Sequence, residues 1–217
     1  DLDEAFAACA REARAAFGQD AVFFEDLLTK AKHIEVQVLG DSYGNIVHLG
    51  ERDCSLQRRH QKIVEEAPAP GLSEEMRVRM RDAAVTLART VSYKSAGTVE
   101  FIFDMDSEAF YFLEMNTRIQ VEHPVTEMIT GEDLVEEQFR VAAGEKLRFS
   151  QAEISLRGHA IECRINAERP EAGFSPSPGE ITDWRPPIAP YIRLDSHCFQ
   201  NYIVPVNYDS MVAKLVV

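Results

Sequence analysis

His33-Ile34-Glu35-Val36-Gln37-Val38 alternates strictly between polar and apolar residues. In an extended chain neighbouring side chains point to opposite faces, so Ile34, Val36 and Val38 share one face and His33, Glu35 and Gln37 the other. The turn residues Asp41-Ser-Tyr-Gly-Asn45 follow, and Ile46–Leu49 returns as the second strand of a hairpin. Thr98–Phe103 and Phe110–Met115 read as another hairpin around Asp104–Ala109, and His159–Ile165 reads as a strand. Helices lie between them. Residues 1–17 place Leu2, Phe6, Cys9, Ala13 and Phe17 at helical spacing before Gly18. After the breaker Pro68-Ala-Pro-Gly71, Ser73 opens a helix to about Val91, with Met76, Met80, Ala83, Ala84 and Leu87 inward. Glu132–Ala143 is a third helix, with Leu134, Phe139 and Ala142 apolar. Hairpins with intervening helices predict an α+β fold, an antiparallel sheet with flanking helices. Short strands are also expected at Val22–Phe24, Ile181–Trp184 and Ile192–Leu194, the last two within a proline-rich loop.

The 217 residues are 45% hydrophobic and 27% charged, the balance of an ordinary globular protein. No apolar run is long enough for a transmembrane helix, and the acidic start Asp1-Leu-Asp-Glu4 is unlike a secretory or transit signal. A formal net charge of -13 repels polyanions and argues against nucleic acid as a partner. The cysteines Cys9, Cys54, Cys163 and Cys198 form no CxxC pair, which argues against zinc and fits reduced thiols in a cytoplasmic or mitochondrial-matrix setting. The chain stops within the apolar run Ala213–Val217, which reads as a truncation.

The densest chemical signal is Glu114-Met-Asn-Thr-Arg-Ile-Gln-Val-Glu-His123. If extended, it puts Glu114, Asn116, Arg118, Gln120 and Glu122 on one face. Phe110-Tyr-Phe-Leu113, apolar on both faces and read as core, brings that strand out of a buried sheet. Two carboxylates and an amide are hard oxygen ligands suited to magnesium carrying a polyphosphate, and Glu100 on the partner strand adds another. An acid inside Thr98-Val-Glu-Phe-Ile-Phe103 needs a partner, and a cation supplies one. The second signal is the positive cluster Arg52, Arg58, Arg59, His60 and Lys62. It reads either as a solvated, salt-bridged loop or as an anion site with guanidinium and ammonium donors. Metal-nucleotide chemistry needs an acidic metal site and a basic anion site together. His48, His123, His159, His197 and Cys54 read as structural.

His33–Gln37, Glu51–Lys62, Glu65–Pro68, Glu114–Pro124 and Gly158–Glu168 resemble the signature segments of the biotin carboxylase family, the ATP-grasp component of acetyl-CoA, propionyl-CoA, methylcrotonyl-CoA and pyruvate carboxylases. The resemblance spans essentially the whole chain. It implies an ATP-grasp fold, with residues 1–27 as the tail of the lid subdomain and 28–217 as the large subdomain and the start of the C-terminal domain. It implies ATP, magnesium or manganese, bicarbonate and carrier-borne biotin as reactants and cofactors. A biotin carboxyl carrier protein, a carboxyltransferase and a second copy of the chain are the implied partners.

Residue by residue, Glu25 and Leu28 fall at the adenine hinge, His33 and Gln57 at the ribose, and His60 at the phosphates. Glu100, Glu114 and Asn116 hold the metal. Lys62, Arg118, Gln120 and the backbone of Val121 cradle bicarbonate, Glu122 is its base, and Arg164 stabilises the biotin enolate. Asp26 stands where the family usually has a lysine. The family's glycine-rich lid and N-terminal domain have no counterpart here, so the isolated chain is expected to be inactive or nearly so. The rival readings are another bicarbonate-activating ATP-grasp ligase of the carbamoyl-phosphate type, and a non-catalytic remnant used in assembly.

Overall fold

A computed structural model describes residues Asp1–Val217, which form two compact units, Asp1–Lys30 and Ala31–Val217. In the first, α1 (Leu2–Phe17) starts at Asp1, whose side chain accepts from the Asp3 N–H, and ends at Gly18 with φ 75°. The left-handed conformation of that C-cap is one that glycine adopts without strain. Residues 19–28 have no regular structure, so the expected strand at Val22–Phe24 is absent. Phe24 packs instead on Phe6 of α1, ring centroids 5.9 Å apart. The aromatic pair gives this apolar run a partner without a ladder.

The second unit runs β1 (Ala31–Gly40), β2 (Ile46–Arg58), β3 (Gln61–Ala67), α2 (Glu74–Thr90), β4 (Ser95–Asp104), β5 (Ala109–Asn116), α3 (His123–Thr130), α4 (Leu134–Ala142) and β6 (Ala160–Asn166). Then follow β7 (Glu168–Arg169), β8 (Ser175–Pro176), β9 (Gly179–Glu180), β10 (Arg193–Ser196), β11 (Ile203–Val204) and β12 (Met211–Val216). Eight strands make one antiparallel sheet in the order β10-β12-β6-β3-β2-β1-β4-β5. The two-residue pairs β7–β8 and β9–β11 stand apart from it.

The alternation in β1 sorts the two faces of this sheet. Ile34, Val36 and Val38 join Val99, Phe101 and Phe103 of β4 beneath Met76, Met80 and Ala84 of α2. Each large apolar side chain buried there contributes roughly 1.5–3 kcal/mol. Ser73 caps α2, accepting from the Met76 N–H at 3.2 Å. Ser73→Ala is expected to lower stability by about 1 kcal/mol, seen as a lower urea midpoint at an unchanged slope.

On the opposite face α3 packs Val125 and Ile129 against Ala67, Ala160 and Val216, while Leu134 of α4 joins Leu39, Val47, Leu49 and Ala96. Between these apolar patches lies a buried polar strip. It holds Glu35, Gln37, Arg52, Thr98, Glu100, Gln120 and Glu122.

Several local expectations need correction. Phe110 packs edge-on against Phe101 at 5.2 Å, but Tyr111, Phe112 and Leu113 are exposed because β5 is the outer strand of the sheet. The extended reading of residues 114–122 holds only to Asn116, after which the chain loops into α3. Phe139 is exposed, and Val141 takes the inward position on α4 with Leu134. Ile181 and Trp184 pack in a small cluster with Val204 and Val212 without forming a strand. The second hairpin strand runs on from Leu49 to Arg58 as β2.

Candidate active site

The polar strip opens into a cleft of about 600 Å³. Every site residue expected beyond Lys30 lines it: His33, Gln57, His60, Lys62, Glu100, Glu114, Asn116, Arg118, Gln120, Val121, Glu122 and Arg164. Glu25 and Leu28 belong to the first unit and lie in its irregular stretch.

Lys62 of β3 is the hub. Its Nζ donates to Glu122 Oε1 at 2.6 Å, Glu35 Oε2 at 2.6 Å and Glu100 Oε1 at 3.1 Å. Burial lowers the basicity of the ammonium, yet Glu35 and Glu122 outweigh that and raise its pKa, so Lys62 stays charged. Glu122 is clamped from the other side as well, where Arg164 Nη2 on β6 donates to its Oε2 at 3.0 Å. One carboxylate is thus held between two cations.

Glu100 and Glu114 sit directly opposite each other on β4 and β5. Asn116 Nδ2 reaches Glu100 at 3.1 Å and Glu114 at 2.8 Å. Burial pushes Glu100 up, but its hydrogen bond with His33 and the nearby Lys62 prevail and hold it at about 2. The His33 Nε2 to Glu100 Oε2 distance is 2.6 Å, and Gln57 Nε2 lies 3.3 Å from His33 Nδ1. Beside His33 and Gln57 a smaller hollow of about 230 Å³ is walled by the apolar Ile102 and Leu113. Arg118 is exposed in the main cleft and donates to the Ile119 carbonyl at 3.1 Å.

The five-residue positive cluster is divided by the structure. Arg52 is fully buried, where its guanidinium donates to Glu35 (2.5 Å), Gln37 and Thr126 (both 2.8 Å), Gln120 (3.2 Å) and Thr98 (3.3 Å). Arg58 pairs with Glu168 and lies 4.0 Å over the Phe174 ring. Of the five, His60 and Lys62 alone face the cleft. Irregularities in the β2–β3 ladder between Asp53 and Gln57 shift its register, and charge counting along the sequence does not detect them.

The supporting residues Glu35, Gln37, Thr98 and Thr126 escaped notice as functional, and Arg52 entered only as one member of the positive cluster. A signal existed for β1, since a polar face on a strand paired on both sides has no solvent to reach. Cys54 is buried, and burial, then Glu35, keeps its thiol well above the ordinary range, so it is no nucleophile. His123 pairs with Glu127 at 3.0 Å and His159 with Glu66 at 2.6 Å, while burial and Arg81 push His48 down to about 4. These histidines are structural.

Residues 1–150 match the family described as carbamoyl-phosphate synthase L chain, ATP binding domain, and residues 162–217 match the biotin carboxylase C-terminal domain. The chain is 58% identical over 206 residues to the chloroplastic biotin carboxylase of Arabidopsis thaliana, covering 95% of this chain and 38% of that protein. Its fold superposes, with a TM-score of 0.94 and 51% identity, on the biotin carboxylase domain dimer of the Hydrogenobacter thermophilus 2-oxoglutarate carboxylase in complex with MgADP, ADP and bicarbonate. That match covers all of this chain and 48% of the other. A crystal structure of the biotin carboxylase subunit of pyruvate carboxylase matches with a TM-score of 0.86 and 47% identity, again over all of this chain and 48% of the other. The chain therefore spans about two fifths to a half of the proteins it matches. With its ATP-grasp fold, the paired domain matches and these relatives, it belongs to the biotin carboxylase family.

Proposed function

We propose that this chain carries the nucleotide- and bicarbonate-handling core of an ATP-dependent biotin carboxylase. The observation that carries the reading is Glu122, held between Lys62 and Arg164 in the cleft that also contains the opposed carboxylates Glu100 and Glu114. Bicarbonate is a poor nucleophile until it loses its proton, and Glu122 is the carboxylate placed to take it. Lys62, Arg118, Gln120 and the Val121 backbone hold the anion. The deprotonated anion attacks the γ-phosphate and expels ADP to give carboxyphosphate, which breaks down to carbon dioxide and phosphate. Phosphate takes the ureido proton, biotin attacks the carbon dioxide, and Arg164 offsets the enolate charge.

The two opposed carboxylates with an amide between them suit magnesium or manganese, which prefer hard oxygen donors. When bound, the ion neutralises charge on the nucleotide phosphates. His33 and Gln57 face the ribose and His60 the phosphates, with Ile102 and Leu113 as apolar walls for the base. Carrier-borne biotin and a carboxyltransferase are the partners, and a homodimer the assembly. Support comes from one neighbour described as part of pyruvate carboxylase and another described as a domain dimer. No helix is long and apolar enough to cross a membrane. The match of residues 162–217 favours this reading over a carbamoyl-phosphate-type ligase.

The test replaces the corresponding segment of a catalytically competent relative with residues 1–217 and measures ATP cleavage with free biotin as acceptor. Bicarbonate-dependent, biotin-stimulated cleavage is expected from the chimera, and little or none from the chain alone. Cleavage indifferent to biotin overturns the proposal.

A further inference from the structure

Glu65 of β3 and Glu162 of β6 face each other across their ladder, and neither is exposed. Residues opposed in this way keep their Cβ atoms within ~5.5 Å. Glu65 Oε1 accepts from Arg164 Nε at 2.7 Å, but Glu65 Oε2 and both oxygens of Glu162 have no hydrogen-bond donor. Val216 stands opposite Glu162 on β12, and Val125 and Ile129 of α3 close over Val216 and Ala160.

The charged groups around the pair are already committed. Arg164 bridges Glu65 and Glu122. Lys214 of β12 donates to the Val121 carbonyl at 2.9 Å and stands 3.6 Å from Asp195. Glu122 and Glu35, the next acids nearby, add negative potential. From α3, His123 pairs with Glu127, which also binds Arg193 at 2.6 Å. No cation in hydrogen-bond contact serves Glu162. Two opposed buried carboxylates, of which one alone has a cation in contact, do not both ionise. In keeping with this, burial and then Glu65 push Glu162 up to about 8. Burial likewise raises Glu65 to about 7 against the pull of Arg164, and the two titrate as a pair.

We propose that Glu65 and Glu162 share one proton at neutral pH, with Glu162 the neutral member, and that the pair positions Arg164. The single charge on Glu65 anchors Nε of the guanidinium and leaves Nη2 directed at Glu122. When the shared proton is lost to solvent, a second buried negative charge draws Arg164 off Glu122. The functional meaning of this device rests on the reading of Arg164 and Glu122 given above, but its test does not measure turnover.

The chain, labelled with ¹³C at glutamate side-chain carboxyls, is titrated by NMR as wild type, Glu162→Gln and Glu65→Gln. One carboxyl of the wild type is expected to stay protonated to about pH 8, and that signal is absent from Glu162→Gln. The Arg164 Nε–H resonance is expected to shift over the same range in the wild type, to be indifferent to pH in Glu162→Gln, and to exchange freely with water in Glu65→Gln.

Thermal stability gives a second readout. Below the ordinary value of 4.5 both folded and unfolded chains carry the Glu162 proton. Between there and about 8 only the folded chain does, so this group's contribution falls as pH rises through the window and is level above it. Glu162→Gln, which stays neutral, should match the wild-type Tm at low pH and exceed it by on the order of 5 °C at high pH. Ionisation of every glutamate by about pH 6, or failure of Glu162→Gln to fold, overturns the shared proton. A pH-indifferent Arg164 signal in the wild type overturns the positioning role. Failure of the chimera to cleave ATP would leave all of these signals in place, so the two proposals fail separately.

Discussion

Arg52→Met is expected to cost about 3–5 kcal/mol, the range for removing one partner of a buried, hydrogen-bonded ion pair. Domains of this kind are stable by only about 5–15 kcal/mol, so the variant should unfold at a much lower urea concentration. Arg52 reaches acceptors on β1, β4, α3 and the loop before α3 from its place on β2. Its removal leaves Glu35 to Lys62 alone and strips donors from the side-chain carbonyls of Gln37 and Gln120. Arg52→Lys keeps the charge but not the planar fork, and one ammonium cannot serve five acceptors. It should fall between the wild type and Arg52→Met. Glu35→Gln in the Arg52→Met background removes the stranded charge, so the double variant should lose less than the sum of the two single losses. Additive losses would show that the guanidinium is not holding Glu35.

Glu122→Gln in the chimera is expected to lower bicarbonate-dependent ATP cleavage by about 10²–10⁴-fold, the usual contribution of a positioned general base. Gln has nearly the shape of Glu and keeps an oxygen for Lys62 or Arg164, so the cleft should survive. Affinity for the magnesium nucleotide, which is assigned to Glu100, Glu114 and Asn116, should change little by calorimetry. If nucleotide binding and turnover fall together, Glu122 is part of the nucleotide site and the base lies elsewhere.

The sheet was legible where a local period carries the information. Ile34, Val36 and Val38 fell on one face and Glu35 and Gln37 on the other, because alternation reads directly into the pleat. Spatial position was not legible in the same way. Phe112 is apolar enough for a core and is exposed because β5 has no neighbour on its outer side, a fact set by sheet order. Arg118, Gln120 and Glu122 alternate as a strand would, yet leave the sheet after Asn116, and they still meet in the cleft. Arg52 and Lys62 looked equivalent as charges, but Arg52 on β2 is enclosed by side chains of β1, β4 and α3, whereas Lys62 on β3 lines the cleft. Glu65 and Glu162 are brought together by a ladder between strands far apart in the sequence. No short window contains both.

The two-sided character of β1 has a consequence for assembly errors. Slipping this strand by a single residue against β2 or β4 would turn Glu35 and Gln37 beneath α2 and swing Ile34 and Val36 out among the acids and Lys62. Such a frame fault spoils the oily layer and the ionic one at once, so the greasy side of the strand proofreads the placement of the reactive side.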